Sequence, residues 1–305
     1  PHQVMARKRS VDFLLEGTSV CTNPHLRRFA NAPYLGHLLS SPACNGLLSR
    51  SSKSLRKELC EAYAALEQIE AALARHYDED ARLTAIVDLC CGKGFLSLIL
   101  ACEFPEAYVL GLDFNARIDK EHESAARNLQ FQHRDLFAID LRDELAAELA
   151  SHGAGTIGAV SICVGVHLCG RLSPRAIDLF GQLDSLNCLV LAPCCLDGRF
   201  DALLKVKAKE LQVDSYQLKV EQLCSLLVEH VDLVETFRDG SMRTAAGNAS
   251  EGSAHAKNTF VIGSRRMREL EGAGSVATTP AKIAPAWKRH GRTDTGQPQD
   301  APAAR

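Results

Sequence analysis

The chain has 305 residues, 46% of them hydrophobic and 24% charged, with a formal net charge of −2. That length allows one large domain with extensions, and that apolar content allows a sizeable core. No apolar run reaches membrane-spanning length and no secretory leader pattern opens the chain, which begins at Pro1 with Met5 as the first candidate initiator. The 12 cysteines sit in apolar, strand-like stretches such as Cys90, Cys91, Cys163 and Cys188. They lack the loop spacings of a disulfide scaffold, so free thiols in a reducing intracellular compartment, cytoplasm or nucleus, are expected.

Charge is uneven. Residues 1–60 carry a net +6 and residues 265–305 a net +4, which leaves −12 on residues 61–264. An acidic body with basic flanks suits a polyanionic partner such as RNA, held by Arg27, Arg28, Lys53, Arg56 and Lys57.

Residues 1–53 show no sustained periodicity, and Pro24, Pro33 and Pro42 recur among small polar residues, so this stretch is expected to be irregular. Ser54 to His76 reads as one helix, with Leu55, Leu59, Ala62, Leu66, Ile69 and Leu73 at helical spacing and Ser54 as N-cap. Residues 1–80 thus read as an N-terminal extension with one long helix. From Thr84 apolar strand-like runs fall at 84–90, 107–113, 129–133, 158–166, 187–193, 231–237 and 258–264. Helical runs at 95–103, 119–128, 140–151, 174–183 and 201–229, the last as two helices, separate the first six. Alternating β and α elements predict a mostly parallel sheet with helices on both faces, an α/β Rossmann-like domain over 81–266. The last two strands are joined by a Gly/Ser/Ala stretch rather than a long helix, which suits an antiparallel final strand. Residues 267–305, rich in Pro, Gly, Thr and Ala, are expected to be a disordered tail.

In such sheets ligands bind beyond the carboxyl ends of the strands. The first strand ends in Asp88-Leu89-Cys90-Cys91-Gly92-Lys93-Gly94 and feeds a helix at Phe95. Glycines there permit positive φ and close backbone approach. The second strand ends at Asp113, whose carboxylate can accept from ribose hydroxyls. The third ends near Asp135, which can take an adenine amino group with Leu136 or Phe137 against the ring. The fourth runs into Val166-His167-Leu168-Cys169-Gly170, and the fifth into Pro193-Cys194-Cys195. His167 is a candidate general base, since imidazole titrates near neutrality. Asp178, Cys169 and Cys195 complete the candidate catalytic set. Cys169, Cys194 and Cys195 with His167, or Cys21, His25, His37 and Cys44, have zinc-ligand chemistry, but their spacings match no zinc motif, and no metal is expected.

The D-x-x-x-G-x-G turn resembles the first motif of class I S-adenosylmethionine methyltransferases. The pair G-x-H-x-C-G-x-L-S (Gly165 to Ser173) and P-C-C (Pro193 to Cys195) resembles one branch of that superfamily. The branch includes tRNA acceptor-stem ribose 2′-O-methyltransferases and methyltransferase-like proteins acting on ribosomal-protein arginine. The resemblance covers residues 82–266. It implies the seven-stranded methyltransferase sheet and S-adenosylmethionine as cofactor. It also implies that Asp88, Gly92, Gly94, Asp113, Asp135 and Leu136 line the cofactor site and that His167 stands near the transferred methyl. In the tRNA group H-L-C-G is closely followed by A-T-D and the cysteine pair by H-H; here Asp178 lies further on and Leu196-Asp197 follow the cysteines. The Gly-Arg-Leu-Ser continuation is nearer the protein-modifying relatives. No Asn-Pro-Pro-Tyr tetrapeptide occurs, which disfavours methylation of a base amino group. RNA methylation is the leading expectation. A protein methyltransferase, and an inactive fold used as a binding module, are the alternatives.

Overall fold

The computed structural model describes residues 22–49, 51–193, 196, 199, 201–244 and 258–266. Short helices come first: α1 (Pro24–Ala30), α2 (Leu35–Ser40), a 3-10 turn (Pro42–Cys44) and α3 (Asn45–Leu48). The expectation of an irregular start is therefore corrected for the described part. The prolines begin elements rather than break them. Pro24 opens α1, and the Asn23 side chain accepts from the backbone of His25 and Leu26, a proline-led and capped helix start. Helix α4 (Ser52–His76) has 25 residues and starts from Ser51, three residues before the expected cap. Its predicted apolar stripe is buried throughout, with Leu55, Leu59, Leu66 and Ile69 at 0% exposure. Each such side chain contributes about 1.5–3 kcal/mol relative to an exposed one.

Seven strands follow: β1 (Arg82–Leu89), β2 (Tyr108–Asp113), β3 (Leu129–His133), β4 (Ala159–Leu168), β5 (Cys188–Pro193), β6 (Leu233–Arg238) and β7 (Thr259–Ser264). They form one sheet in the order β3-β2-β1-β4-β5-β7-β6. β7 runs antiparallel to both β5 and β6, and the other pairings are parallel. This is the sheet that the sequence resemblance implies, and its strand order reverses between β1 and β4. Residues 85–89 of β1 are all buried, as expected of a central parallel strand covered on both faces. The intervening helices are α5 (Phe95–Glu103), α6 (Leu141–Ser151), α7 (Leu172–Gln182), α8 (Ala202–Leu211), α9 (Ser215–Leu227) and the single-turn α10 (Ser241–Thr244). The helix expected over 119–128 is a short 3-10 turn, Glu121–Ala125.

One face of the sheet packs Val87, Leu110 and Leu189 against Leu145, Ile177, Phe180 and Leu223 of α6, α7 and α9. The other face is covered by α5 and by α4, which contacts β4, β5 and β7. Helix α4 is thus a layer of the sheet domain, not an appended arm. Two polar devices pin the edges. Arg265 donates to the carbonyls of Phe180, Leu183, Leu186 and His230, closing the exit of α7 with a cation. His25 of α1 is 1% exposed; its Nε2 bonds Asp239 at 2.7 Å and its Nδ1 faces Glu67 of α4 at 3.2 Å. Burial disfavours the charged ring, but the two carboxylates outweigh it and raise its pKa from 6.5 to about 9. An imidazolium therefore ties α1, α4 and the end of β6 together.

Candidate active site

The loop after β1 is built on left-handed backbone. Cys90, Gly92 and Gly94 have φ of 54°, 54° and 74°. At Gly94 a Cβ would stand 2.3 Å from the Phe131 ring and 2.9 Å from His122. Only glycine therefore satisfies both the backbone and the packing beneath it. At Gly92 no atom lies within 4 Å of where a Cβ would stand, so the backbone is bare on that side. Gly92 N–H donates to Asp113 at 2.8 Å, and Lys120 grips the same loop through the Gly92 carbonyl at 2.7 Å and the Cys91 sulfur at 3.0 Å. Asp88 is 2% exposed and accepts from the Ser97 hydroxyl at 2.6 Å. Burial pushes its carboxyl up to about 7 against the opposing pull of Ser97 and Lys120.

Beside this loop opens a small cleft, lined by Cys90, Leu112, Asp113, Asp135, Leu136 and Leu172 among others. Asp113, Asp135 and Leu136, all expected at the cofactor, are among the residues lining this cleft. Asp88, Gly92 and Gly94 do not line the cleft: the acid is turned inward to hold the start of α5, and the glycines shape the rim. Asp113 is held by the backbone of Gly92 and Asn115, and Asp135 by that of Phe137. Two carboxylates at neighbouring strand ends and apolar walls suit an adenosine: acceptors for ribose and amino hydrogens, and flat apolar contact for the ring. Phe137, the other expected ring partner, is 42% exposed and faces the Arg171 guanidinium.

Across the switch point, β4 ends in a bulge. Val166 pairs with Ala192 and Leu168 with Pro193, so His167 is the extra residue, at φ 63°. Positive φ is uncommon for a residue with a side chain, and bulges of this kind re-aim side chains beside functional sites. Gly165 makes room for it, since a Cβ there would meet Leu168 at 2.6 Å. The His167 ring is turned onto α4, where Nε2 and Glu61 Oε1 are 2.5 Å apart. Glu61 also receives Lys57 at 3.0 Å. Burial alone would raise the Glu61 pKa; His167 and Lys57 outweigh it and lower it. Sequence reading missed Glu61. Its one local trace is an acid beside the buried stripe of a helix, four residues after a lysine.

Of the other expected catalytic residues, Asp178 is engaged elsewhere. Asp178 is 53% exposed on α7 and is bound to Arg175 and Gln182 of the same helix. Arg175 in turn holds the Leu136 carbonyl at 3.0 Å, so Asp178 braces the cleft wall from outside. Cys169 is partly buried. Cys195 lies outside the described residues, as do Cys21 and Cys194. Neither conceived zinc set assembles among the described residues: His25 is engaged with Asp239 and Glu67, and His37 bonds the Ala125 carbonyl. The one described group of metal-ligating side chains that converges is His25, Glu67 and Asp239, and there the imidazole already lies between the two carboxylates. No helix among the described residues is long and apolar enough to cross a membrane.

Solved structures with similar folds include the aminoglycoside resistance methyltransferase NpmB1, 15% identical, covering 65% of this chain and 92% of that one at a TM-score of 0.38. The fibrillarin pre-rRNA processing protein of Methanococcus jannaschii is 11% identical, covering 67% and 76% at 0.40. The S-adenosylmethionine-dependent methyltransferase SibL in its apo form is 14% identical, covering 85% and 70% at 0.41. Residues 57–198, from the first turns of α4 through the loop after β5, match the family model described as Methyltransferase domain.

Proposed function

We propose that this chain is an S-adenosylmethionine-dependent methyltransferase acting on RNA, at a ribose hydroxyl or a structured site. The observation that carries the cofactor reading is the cleft beside the glycine loop, with Asp113 and Asp135 at adjacent strand ends. Bound there, S-adenosylmethionine supplies a methyl group on a sulfonium. Asp113 accepts from the ribose, Asp135 accepts from the base, and Leu136 packs on the ring. His167, across the switch point, takes the proton of the acceptor. Arg27 and Lys53 are exposed at the basic end of the chain and supply phosphate contacts.

A protein acceptor is the second reading. It is favoured by the engagement of two of the expected cations. Arg28 is bound to Glu70 through two hydrogen bonds of 2.6 and 2.7 Å, and Lys57 to Glu61. Titration calorimetry with S-adenosylmethionine, followed by tritiated-cofactor labelling of cell extract with RNase and protease arms, tests both. Label lost to RNase supports RNA, and label lost to protease supports the second reading. No cofactor binding overturns the proposal. His167→Ala is expected to retain cofactor affinity and to lose roughly two orders of magnitude in turnover, the scale of a general base.

A further inference from the structure

The Glu61–His167 pair joins residues 106 positions apart in the chain. We propose that Glu61 is the positioning residue of the reaction: it holds the His167 ring and sets its protonation, so that the N-terminal half of α4 belongs to the active site. The inference rests on the function proposed above, in which His167 is the base.

Three observations carry it. First, the bulge at φ 63° directs a side chain at the end of β4 onto α4. A left-handed, non-glycine residue persists only where its surroundings hold it, and the bond to Glu61 is one such hold. Second, Glu61 is itself fixed. Its side chain is 13% exposed, on a helix anchored by Leu55, Leu59 and Tyr63 at 0% exposure. Third, Lys57 at 3.0 Å, one turn before it, keeps the carboxylate ionised. A carboxylate facing Nε2 accepts a hydrogen bond from that nitrogen and so keeps the proton on it. In the neutral ring the basic nitrogen is then Nδ1. When the acceptor proton moves to Nδ1, its former bonding pair stays on the acceptor atom that receives the methyl. The resulting imidazolium lies against an anion and is stabilised by it. The same logic governs hydrogen-bonded carboxylate–imidazole pairs in other catalytic settings. Among the described residues, the polar groups of this region include Cys169 and Arg171 on the segment of His167 itself, besides Glu61 and Lys57 on α4.

The test uses the full chain and its Glu61→Gln and Glu61→Asp variants. NMR titration of His167 needs no substrate. The expected result is a His167 pKa that falls by about one unit or more in Glu61→Gln and recovers in part in Glu61→Asp. With tritiated S-adenosylmethionine and total cellular RNA, Glu61→Gln is expected to lose tenfold or more in kcat, with the Kd for the cofactor unchanged. Its acid-side pH limb is expected to move downward by the shift the NMR reads. An unchanged His167 titration in a folded Glu61→Gln overturns the inference. So does a variant whose only defect is a lower melting temperature, with kcat and pH profile intact in the folded fraction. If the parent chain neither binds the cofactor nor labels RNA, it is the proposed function that fails, and the NMR titration still decides the coupling of Glu61 to His167.

Discussion

The two halves of the site are held by different means. On the side of β1, β2 and β3, the cleft is shaped by backbone: a left-handed loop, two glycines and strand-end carboxylates bonded to nearby amides. On the side of β4 and β6, side chains do the holding, and their partners come from α1 and α4 at the other end of the chain. The contrast explains why the first half is recognisable as a motif and the second is not. A backbone device needs particular residues at short spacing. An ion pair needs only complementary charge at whatever separation the fold closes.

The largest expected effect is on the side-chain half. His25→Leu leaves Asp239 and Glu67 without their cation, with Asp239 buried, and is expected to cost about 3–5 kcal/mol in urea unfolding, the scale of a broken buried pair. The pH dependence has a definite sign. A folded pKa near 9 against an ordinary 6.5 stabilises the fold fully below about pH 6.5. That contribution, about 3 kcal/mol at most, is lost as pH rises through about 9. Unfolding free energies of the parent and of His25→Gln between pH 6 and 10 check this: the alkaline decline should shrink in the variant. An equal decline in both would place the titration elsewhere.

The backbone half is expected to respond next. Gly94→Ala must adopt φ 74° and displace Phe131. Left-handed strain of about 1–2 kcal/mol adds to an overpacking cost of about 1–3 kcal/mol. Both melting temperature and cofactor affinity should fall. Asp113→Ala should remain folded and lose about 1.5–3 kcal/mol of cofactor binding, the worth of a charge-assisted hydrogen bond; unchanged calorimetric affinity would remove Asp113 from the site. The smallest effect belongs to Asp178→Ala. Its carboxylate is mostly exposed, and an exposed pair is worth well under about 1 kcal/mol, so turnover should stay within about twofold. A loss of a hundredfold would restore Asp178 to the catalytic set. Replacing Arg27 and Lys53 together by alanine should weaken RNA binding and flatten its salt dependence.

Much of this was legible in the sequence because the signals were local. Alternating apolar runs placed all seven strands within a few residues, since a buried parallel strand must be apolar along its length. The glycine loop and the acids Asp113 and Asp135 were legible as candidates because strand ends are where α/β sheets bind ligands. Periodicity likewise made α4 visible over most of its length. The short helices before it were not, because elements of four to seven residues carry too few turns to show a period.

What only the tertiary structure decided is which charges meet. In the sequence Asp88 and Asp113 are equivalent acids at strand ends; burial turns one toward Ser97 and leaves the other at the cleft. Asp178, a candidate catalytic residue in the sequence, is carried by a helix toward solvent. Glu61, more than a hundred residues from His167, holds its ring. The reason is physical. Apolar burial and backbone geometry are written residue by residue along the chain. The partner of a buried charge is fixed by whichever group the packed layers bring within about 3 Å, because a charge taken out of water must find its counter-charge there.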